Sequence, residues 1–147
     1  MKILTTPELK AHIEMLYGKV KPFAEKEEIF KPLDLYFDDK TPQMSTGEFC
    51  YSDGSHYYHG NVGDRGKVTL QEVDNLFDLS YKIFRNRTFR MGIKYLGKYL
   101  VTNEKPQDHR RITFPKEIEL MRLIGEDYAE RLEKEFEEIL KEYPYKD

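Results

Sequence analysis

The chain has a single cysteine, Cys50, no tryptophan, and no long apolar run. One thiol cannot close an internal disulfide, which argues against the loop-rich secreted domains that depend on several. No stretch approaches the roughly 18 consecutive apolar residues of a membrane span. The opening Met1-Lys2-Ile3-Leu4-Thr5-Thr6-Pro7 turns polar before an apolar export core could form. A cytoplasmic protein is the expectation. Internal repeats and low-complexity tracts are also missing, and there is no surplus of positive charge. A net charge of −3 and a pI near 5.9 argue against a constitutive binder of DNA or of a membrane surface.

What is present fits a single domain over residues 1–147, a length that buries enough surface for one proper core. Aromatics make up 14 % of the chain, with 11 Tyr and 9 Phe; tyrosine suits an interface, although most such rings belong to a core. Charge is segregated along the chain. Residues 1–60 carry 7 basic and 10 acidic side chains, residues 61–111 carry 11 and 6, and residues 112–147 carry 6 and 11. A positive middle beside a negative end is read most simply as two faces that attract each other.

The pattern predicts an α+β fold: an N-terminal helix, a three-stranded antiparallel meander, then two long packed C-terminal helices. Thr5 or Thr6 caps the first helix, Pro7 sits where a missing N–H costs nothing, and Leu9, Ile13, Leu16, Tyr17 and Val20 recur at helical spacing. Residues 23–31 read as an exposed connection, with one helical turn as an option. Leu33, Leu35 and Phe37 alternate with polar neighbours as a half-buried strand. Two further strands, 46–51 and 56–62, meet at Asp53-Gly54, a two-residue turn signal that sets Tyr51 opposite His56 and Glu48 opposite His59. In that register Phe49, Tyr51 and Tyr58 share a face with His56, expected against the helices. Glu48, Cys50, Tyr57 and His59 share the other face.

The middle helix is predicted over 69–100, opened by a Thr69/Glu72 capping box and a Val68/Val73 staple. Its apolar stripe runs through Val73, Leu76, Phe77, Ser80, Ile83, Phe84, Met91 and Tyr95. A second stripe of Phe89, Ile93, Leu96 and Leu100 implies either burial on two faces or a bend near residues 86–88. The last helix opens at Phe114-Pro115, carries its stripe from Ile118 to Leu140, and stops at Pro144.

Catalytic patterns are hard to find. His56 and His59 lie three apart on a strand, so they point to opposite faces and cannot share a metal ion. Cys50 has no nucleophile motif around it, although His59 or His109 could serve as its partner in a thiol enzyme. The segment 60–66 is glycine-rich but lacks the lysine of a phosphate loop. The reading is non-enzymatic, with no metal and no cofactor. Lys82, Arg85, Arg87, Arg90, Lys94 and Lys98, interleaved with Phe84, Phe89, Tyr95 and Tyr99, give the one nucleic-acid signal, and an adaptor or nucleic-acid module using this 82–98 face is the alternative function. The acidic Glu130, Glu133, Glu137 and Glu138 oppose it. Asp108, Arg110 and Arg111 read as a loop cluster with an internal salt bridge, structural before partner-facing.

At these residues the chain resembles the immunity protein 63 family of bacterial polymorphic-toxin systems. The likeness covers about residues 57–147. It rests on Tyr57-Tyr58-His59, on Asp64-Arg65-Gly66 (the family more often has Glu at the first of these), and on Leu76 and Phe77. It continues through Asp108-x-Arg110-Arg111-x-x-Phe114, Leu120-Met121, Ile139-Leu140 and Pro144-Tyr145-x-Asp147. The Asp-x-Arg-Arg-x-x-Phe set and its following helix are the most specific part; the first 55 residues fall outside the likeness. The resemblance implies a cytoplasmic, non-enzymatic protein that binds a cognate toxin domain and neutralises it by stoichiometric occlusion. The hairpin face with Tyr57, His59 and Glu48, the turn at Asp64 and Arg65, or acidic patches on the first and last helices are then the expected contacts. Asp108, Arg110 and Arg111 are expected to be structural or partner-facing.

Overall fold

The computed structural model describes residues 2–146. Its first helix begins at a reciprocal capping box: the Glu8 amide donates to Thr5 Oγ1 at 3.3 Å, and the Thr5 amide to the Glu8 carboxylate at 2.9 Å. Helix α1 (Thr6–Gly18) follows. Leu9, Ile13, Leu16 and Tyr17 are buried along it, with Val20 just beyond. The next segment has the helical turn allowed for it but is less exposed than expected. It forms a short helix α2 (Lys21–Lys26), in and after which Ala24 and Ile29 are fully buried.

The sheet has four strands in the order β1-β2-β3-β4, and it is mixed, not a three-stranded antiparallel meander. Strand β1 (Leu35–Phe37) pairs parallel with β2 (Gly47–Ser52); β3 (Tyr57–Val62) and β4 (Val68–Val73) add antiparallel. The hairpin turn is wider than its Asp53-Gly54 signal. Asp53 Oδ1 accepts the amides of Ser55 at 2.8 Å and His56 at 2.7 Å, and the Asp53 amide donates to the His56 carbonyl at 3.2 Å. These bonds hold residues 53–56 in the loop and shift the register, so that Tyr51 faces Tyr58 and Cys50 faces His59. Because the shift is two residues, every side chain keeps its predicted face.

Which face turns inward is the reverse of expectation. Cys50, Tyr57 and Val73 lie on one face and are at most 6 % exposed, and the Tyr57 hydroxyl accepts the Leu4 amide at 2.9 Å. Tyr51 and Tyr58 lie half-buried on the other face. There Phe49 is covered by its neighbours and seated over Gly60: a Cβ at Gly60 would stand 2.3 Å from Phe49 Cζ and 2.8 Å from the Thr69 carbonyl oxygen. Overpacking of this kind costs about 1–3 kcal/mol. Gly60→Ala is expected to lose about 2–3 kcal/mol in urea unfolding, with part recovered by adding Phe49→Leu. An unchanged midpoint would contradict the close contact.

The region 68–73, expected to open the middle helix, is strand β4. The true helix start is Asn75, whose Oδ1 accepts the Asp78 amide at 2.8 Å and whose side-chain amide donates to the Asp78 carboxylate at 3.1 Å. Helix α3 (Leu76–Thr102) then runs without a break through Gly92 and Gly97. Its second stripe divides: Leu96 is buried and Leu100 half-buried, while Phe89 and Ile93 stay exposed. The last helix is two helices, α4 (Arg110–Ile124) and α5 (Glu126–Glu142). The break is at Gly125, where a Cβ would stand 2.9 Å from Asp127 Oδ1 and 3.0 Å from the Tyr128 ring. Helix α4 also starts earlier than expected, so Pro115 lies inside it.

The chain divides into two compact units, Met1–Met15 with Leu33–Ile83, and Leu16–Pro32 with Phe84–Asp147. The first holds the sheet, with Leu9, Ile13, Cys50, Tyr57, Leu79 and Ile83 buried in it. The second is helical. In it Phe84 stacks on Tyr17 at 6.0 Å and meets Tyr128 edge-on at 5.4 Å, and Leu120, Met121 and Leu132 are fully buried.

Candidate partner-binding surfaces

In the sheet unit, the outward face carries a row of rings. Alternation along β2 and the register with β3 bring Phe49, Tyr51 and Tyr58 to one side. Tyr51 stacks on Tyr58 at 4.9 Å and on Phe49 at 6.5 Å, and His56 stands edge-on to Tyr58 at 6.3 Å. On β4, Leu70 and Val68 continue this face and are 54 % and 46 % exposed. The edge is polar. Tyr58 donates its hydroxyl to Asp53 Oδ2 at 3.0 Å, and His56 Nε2 lies 3.4 Å from Glu72. The bond to Asp53 raises the Tyr58 hydroxyl pKa, and desolvation raises that of Tyr51, so both rings stay neutral phenols at physiological pH. A neutral aromatic strip with a charged border is the composition of a protein-binding surface.

The residues expected at the hairpin separate. Tyr57 is 1 % exposed and holds the N-terminal segment through Leu4, so it is an internal anchor. His59 and Glu48 do meet, with His59 Nε2 2.5 Å from Glu48 Oε2, and their side chains are 24 % and 19 % exposed. Asp64 and Arg65 are exposed in the turn between β3 and β4, where Arg65 adopts φ 66°. Tyr51 and Tyr58, half-buried on the outward face, are rings that the sequence pattern places inward. The parity of the strand was readable; the direction of the core was not.

In the helical unit, Asp108, Arg110 and Arg111 form a clasp on the C-terminal segment. Arg110 binds both Asp108 oxygens, at 2.7 Å for the shortest contact, and donates to the carbonyls of Tyr143 at 2.7 Å and Pro144 at 3.0 Å. Asp108 also accepts the Arg110 and Lys146 amides at 3.0 and 3.1 Å. The Arg110 guanidinium beside it holds the Asp108 carboxyl well below the usual carboxylate range. Arg111 lies over the Tyr145 ring at 4.3 Å. Phe114, the last member of this motif, stacks on Phe136 at 3.7 Å and ties α4 to α5. The geometry makes the cluster a fastener between the start of α4 and the segment after α5.

The basic residues of α3 do not form one open face. Arg87 is 1 % exposed. Arg85 is held by Glu135 at 2.6 Å and by Glu117 at 2.9 Å, Lys98 by Glu28 at 3.2 Å, and Lys82 by Gln71. Among the described residues, Lys82, Arg90 and Lys94 are the members of this set without an ion-pair partner, and Lys82 is engaged by the neutral Gln71. Three such cations are few for a phosphate backbone, whose binding scales with the number of charges neutralised. Glu117 is itself 1 % exposed, and Gly92 lets α3 approach it, since a Cβ there would lie 2.8 Å from Glu117 Cγ. Burial pushes the Glu117 carboxyl up to about 7, against the opposing pull of Arg85. No helix of the described residues is long and apolar enough to cross a membrane.

Neither the curated proteins nor the solved structures contain a match to this chain. The family model described as immunity protein 63 does match, over residues 54–138. That span starts in the hairpin turn, takes in β3, β4, α3 and α4, and ends within α5, so it covers more than half of the sequence and includes Asp64, Arg65 and the Asp108–Phe114 fastener. The chain belongs to the immunity protein 63 family.

Proposed function

We propose that this protein binds a cognate bacterial toxin domain and neutralises it by stoichiometric occlusion, without catalysing a reaction. Family membership over residues 54–138 carries the reading. The contact surface proposed is the outward sheet face, with Tyr51 and Tyr58 as anchors, Leu70 and Val68 beside them, and His56, Glu72 and the turn at Asp64 and Arg65 as a polar rim. Rigid aromatic rings provide contact area at small entropic cost, and charged borders set register and partner choice. The half-buried Glu48–His59 pair supports the strand behind this face. A cytoplasmic location goes with the same reading, since the antidote must meet the toxin where the toxin acts.

The test is co-expression. The toxin domain encoded beside this gene is produced in a sensitive bacterium with and without this chain. Growth restored only by the chain supports the proposal. Unchanged killing in its presence, with the chain shown to be folded and abundant, overturns it.

A further inference from the structure

The outward side of α3 and the outward groove between α4 and α5 differ in composition in complementary ways. On α3, Phe89 and Ile93 are 48 % and 47 % exposed and Val101 is 81 % exposed. Gly97 completes the series, and a Cβ there would meet nothing, so the ridge is open at that point. Residues four apart form a continuous ridge on a helix surface. Alongside it run Arg90 and Lys94, which have no ion-pair partner among the described residues, and Lys98, which reaches Glu28. An apolar ridge beside a basic row calls for an apolar groove with acidic borders.

The α4–α5 groove has that composition. Its larger stretch, of about 520 Å³, is lined by Pro115, Ile118 and Leu123 with Glu119, Arg122 and Glu133. A second stretch shares Pro115, Ile118 and Glu133 and continues to Glu137, Leu140 and Tyr145. Arg122 adds no free positive charge, being held by Glu126 at 3.1 Å and by Glu133. Glu137 has no cationic partner among the described residues. Across α5 there are 8 acidic and 3 basic side chains. The Arg110–Arg111 fastener holds Tyr145 in place as the end wall.

We infer that this protein associates head to tail, the α3 ridge of one copy seated in the α4–α5 groove of another. Apolar surface meets apolar surface, and Arg90 and Lys94 meet a border of net negative charge, on which Glu137 is unpaired while Glu119 and Glu133 are shared with Lys116 and Arg122. Ridge on ridge would set Arg90 and Lys94 against themselves, and groove on groove would oppose carboxylates, so charge selects the unlike pairing. A net charge of −3 is too small to hold copies apart. A contact of unlike surfaces forms rings or open chains. The inference stands apart from the toxin reading, because it concerns the purified chain alone.

The test is sedimentation velocity of the full chain from micromolar to near-millimolar concentration, in low and high salt. The expected result is an average mass that rises with concentration at low salt and rises less at high salt, where the screening length is only about 3 Å at 1 M. Two variants locate the contact: Phe89→Asp with Ile93→Asp removes the ridge, and Ile118→Asp with Leu123→Asp removes the groove. Each alone is expected to be monomeric, with a circular dichroism spectrum like the parent's. Mixed, they are expected to form a 1:1 dimer that grows no further, because one intact groove and one intact ridge remain. A parent chain that stays monomeric throughout overturns the inference, as does association that persists in either variant or fails to return in the mixture.

Discussion

Arg85→Met is expected to destabilise the protein by about 3–5 kcal/mol at pH 8, the cost of leaving a buried carboxylate without its cation. Arg85 joins three helices: its guanidinium binds Glu117 of α4 and Glu135 of α5 and lies over the Phe136 ring at 5.1 Å. Without it Glu117, 1 % exposed, is left desolvated beside the partly exposed Glu135. The double variant Arg85→Met, Glu117→Met is expected to regain most of the loss, since apolar groups of similar volume often replace a buried pair at little cost.

The same node makes stability depend on pH. Glu117 titrates near 7 in the folded protein against an ordinary value of 4.5. Between those values the folded state holds a proton that the unfolded state has released, so the contribution of this group falls as pH rises through the window, by up to about 3 kcal/mol. Urea unfolding at pH 5.5 and pH 8 is expected to show the parent more stable at the lower pH. Glu117→Gln is expected to flatten the difference, and Arg85→Met to steepen it. A parent that is more stable at pH 8, with Glu117→Gln changing nothing, would show that Arg85 keeps the carboxylate ionised.

Replacing both Tyr51 and Tyr58 by Ala is expected to weaken toxin binding by about 4 kcal/mol, roughly a thousandfold, if each ring contributes as an interface anchor does. The fold should tolerate the change. Both rings are half-buried on the outward sheet face, so truncation opens no sealed cavity, whereas Phe49, 2 % exposed over Gly60, would leave one. Tyr58→Phe separates ring from hydroxyl: it keeps the 4.9 Å stack with Tyr51 and loses only the bond to Asp53. It should therefore retain most of the affinity. Calorimetric titration of the toxin domain into each variant, after a thermal melt matching the parent, reads the effect. Equal affinity of the double alanine variant and the parent would move the contact off this face.

Sequence and structure agree most closely where one local signal acts alone. Thr5, one of the two caps read for the first helix, does open α1, and strand parity brings Glu48 and His59 together despite the wider turn. Where two signals compete, the weaker-looking one won. Thr69-x-x-Glu72 satisfies the capping pattern, but Val68, Leu70 and their polar neighbours also alternate with period two, and β3 offers an edge to pair with. The genuine cap, Asn75-x-x-Asp78, stood six residues on. The break at Gly125 was hidden because apolar spacing continues across it. Parallel pairing of β1 with β2 has no local signature in three residues. Two buried charges were readable in hindsight: Arg87 falls on the stripe of Ser80, Phe84 and Met91, and Glu117 on that of Thr113, Leu120 and Ile124. Tyr57 took the inward role because of a bond to Leu4, 53 positions away, which no periodicity encodes.

The most direct test of the account is to titrate the activity of the purified toxin domain with this protein. Occlusion predicts that activity falls linearly to zero at one protein per toxin, that a 1:1 complex is recovered, and that activity returns when the complex is separated. Loss of toxin activity at a small fraction of one equivalent, or toxin that stays inactive after separation, would mean that this chain acts as a catalyst and would contradict the account.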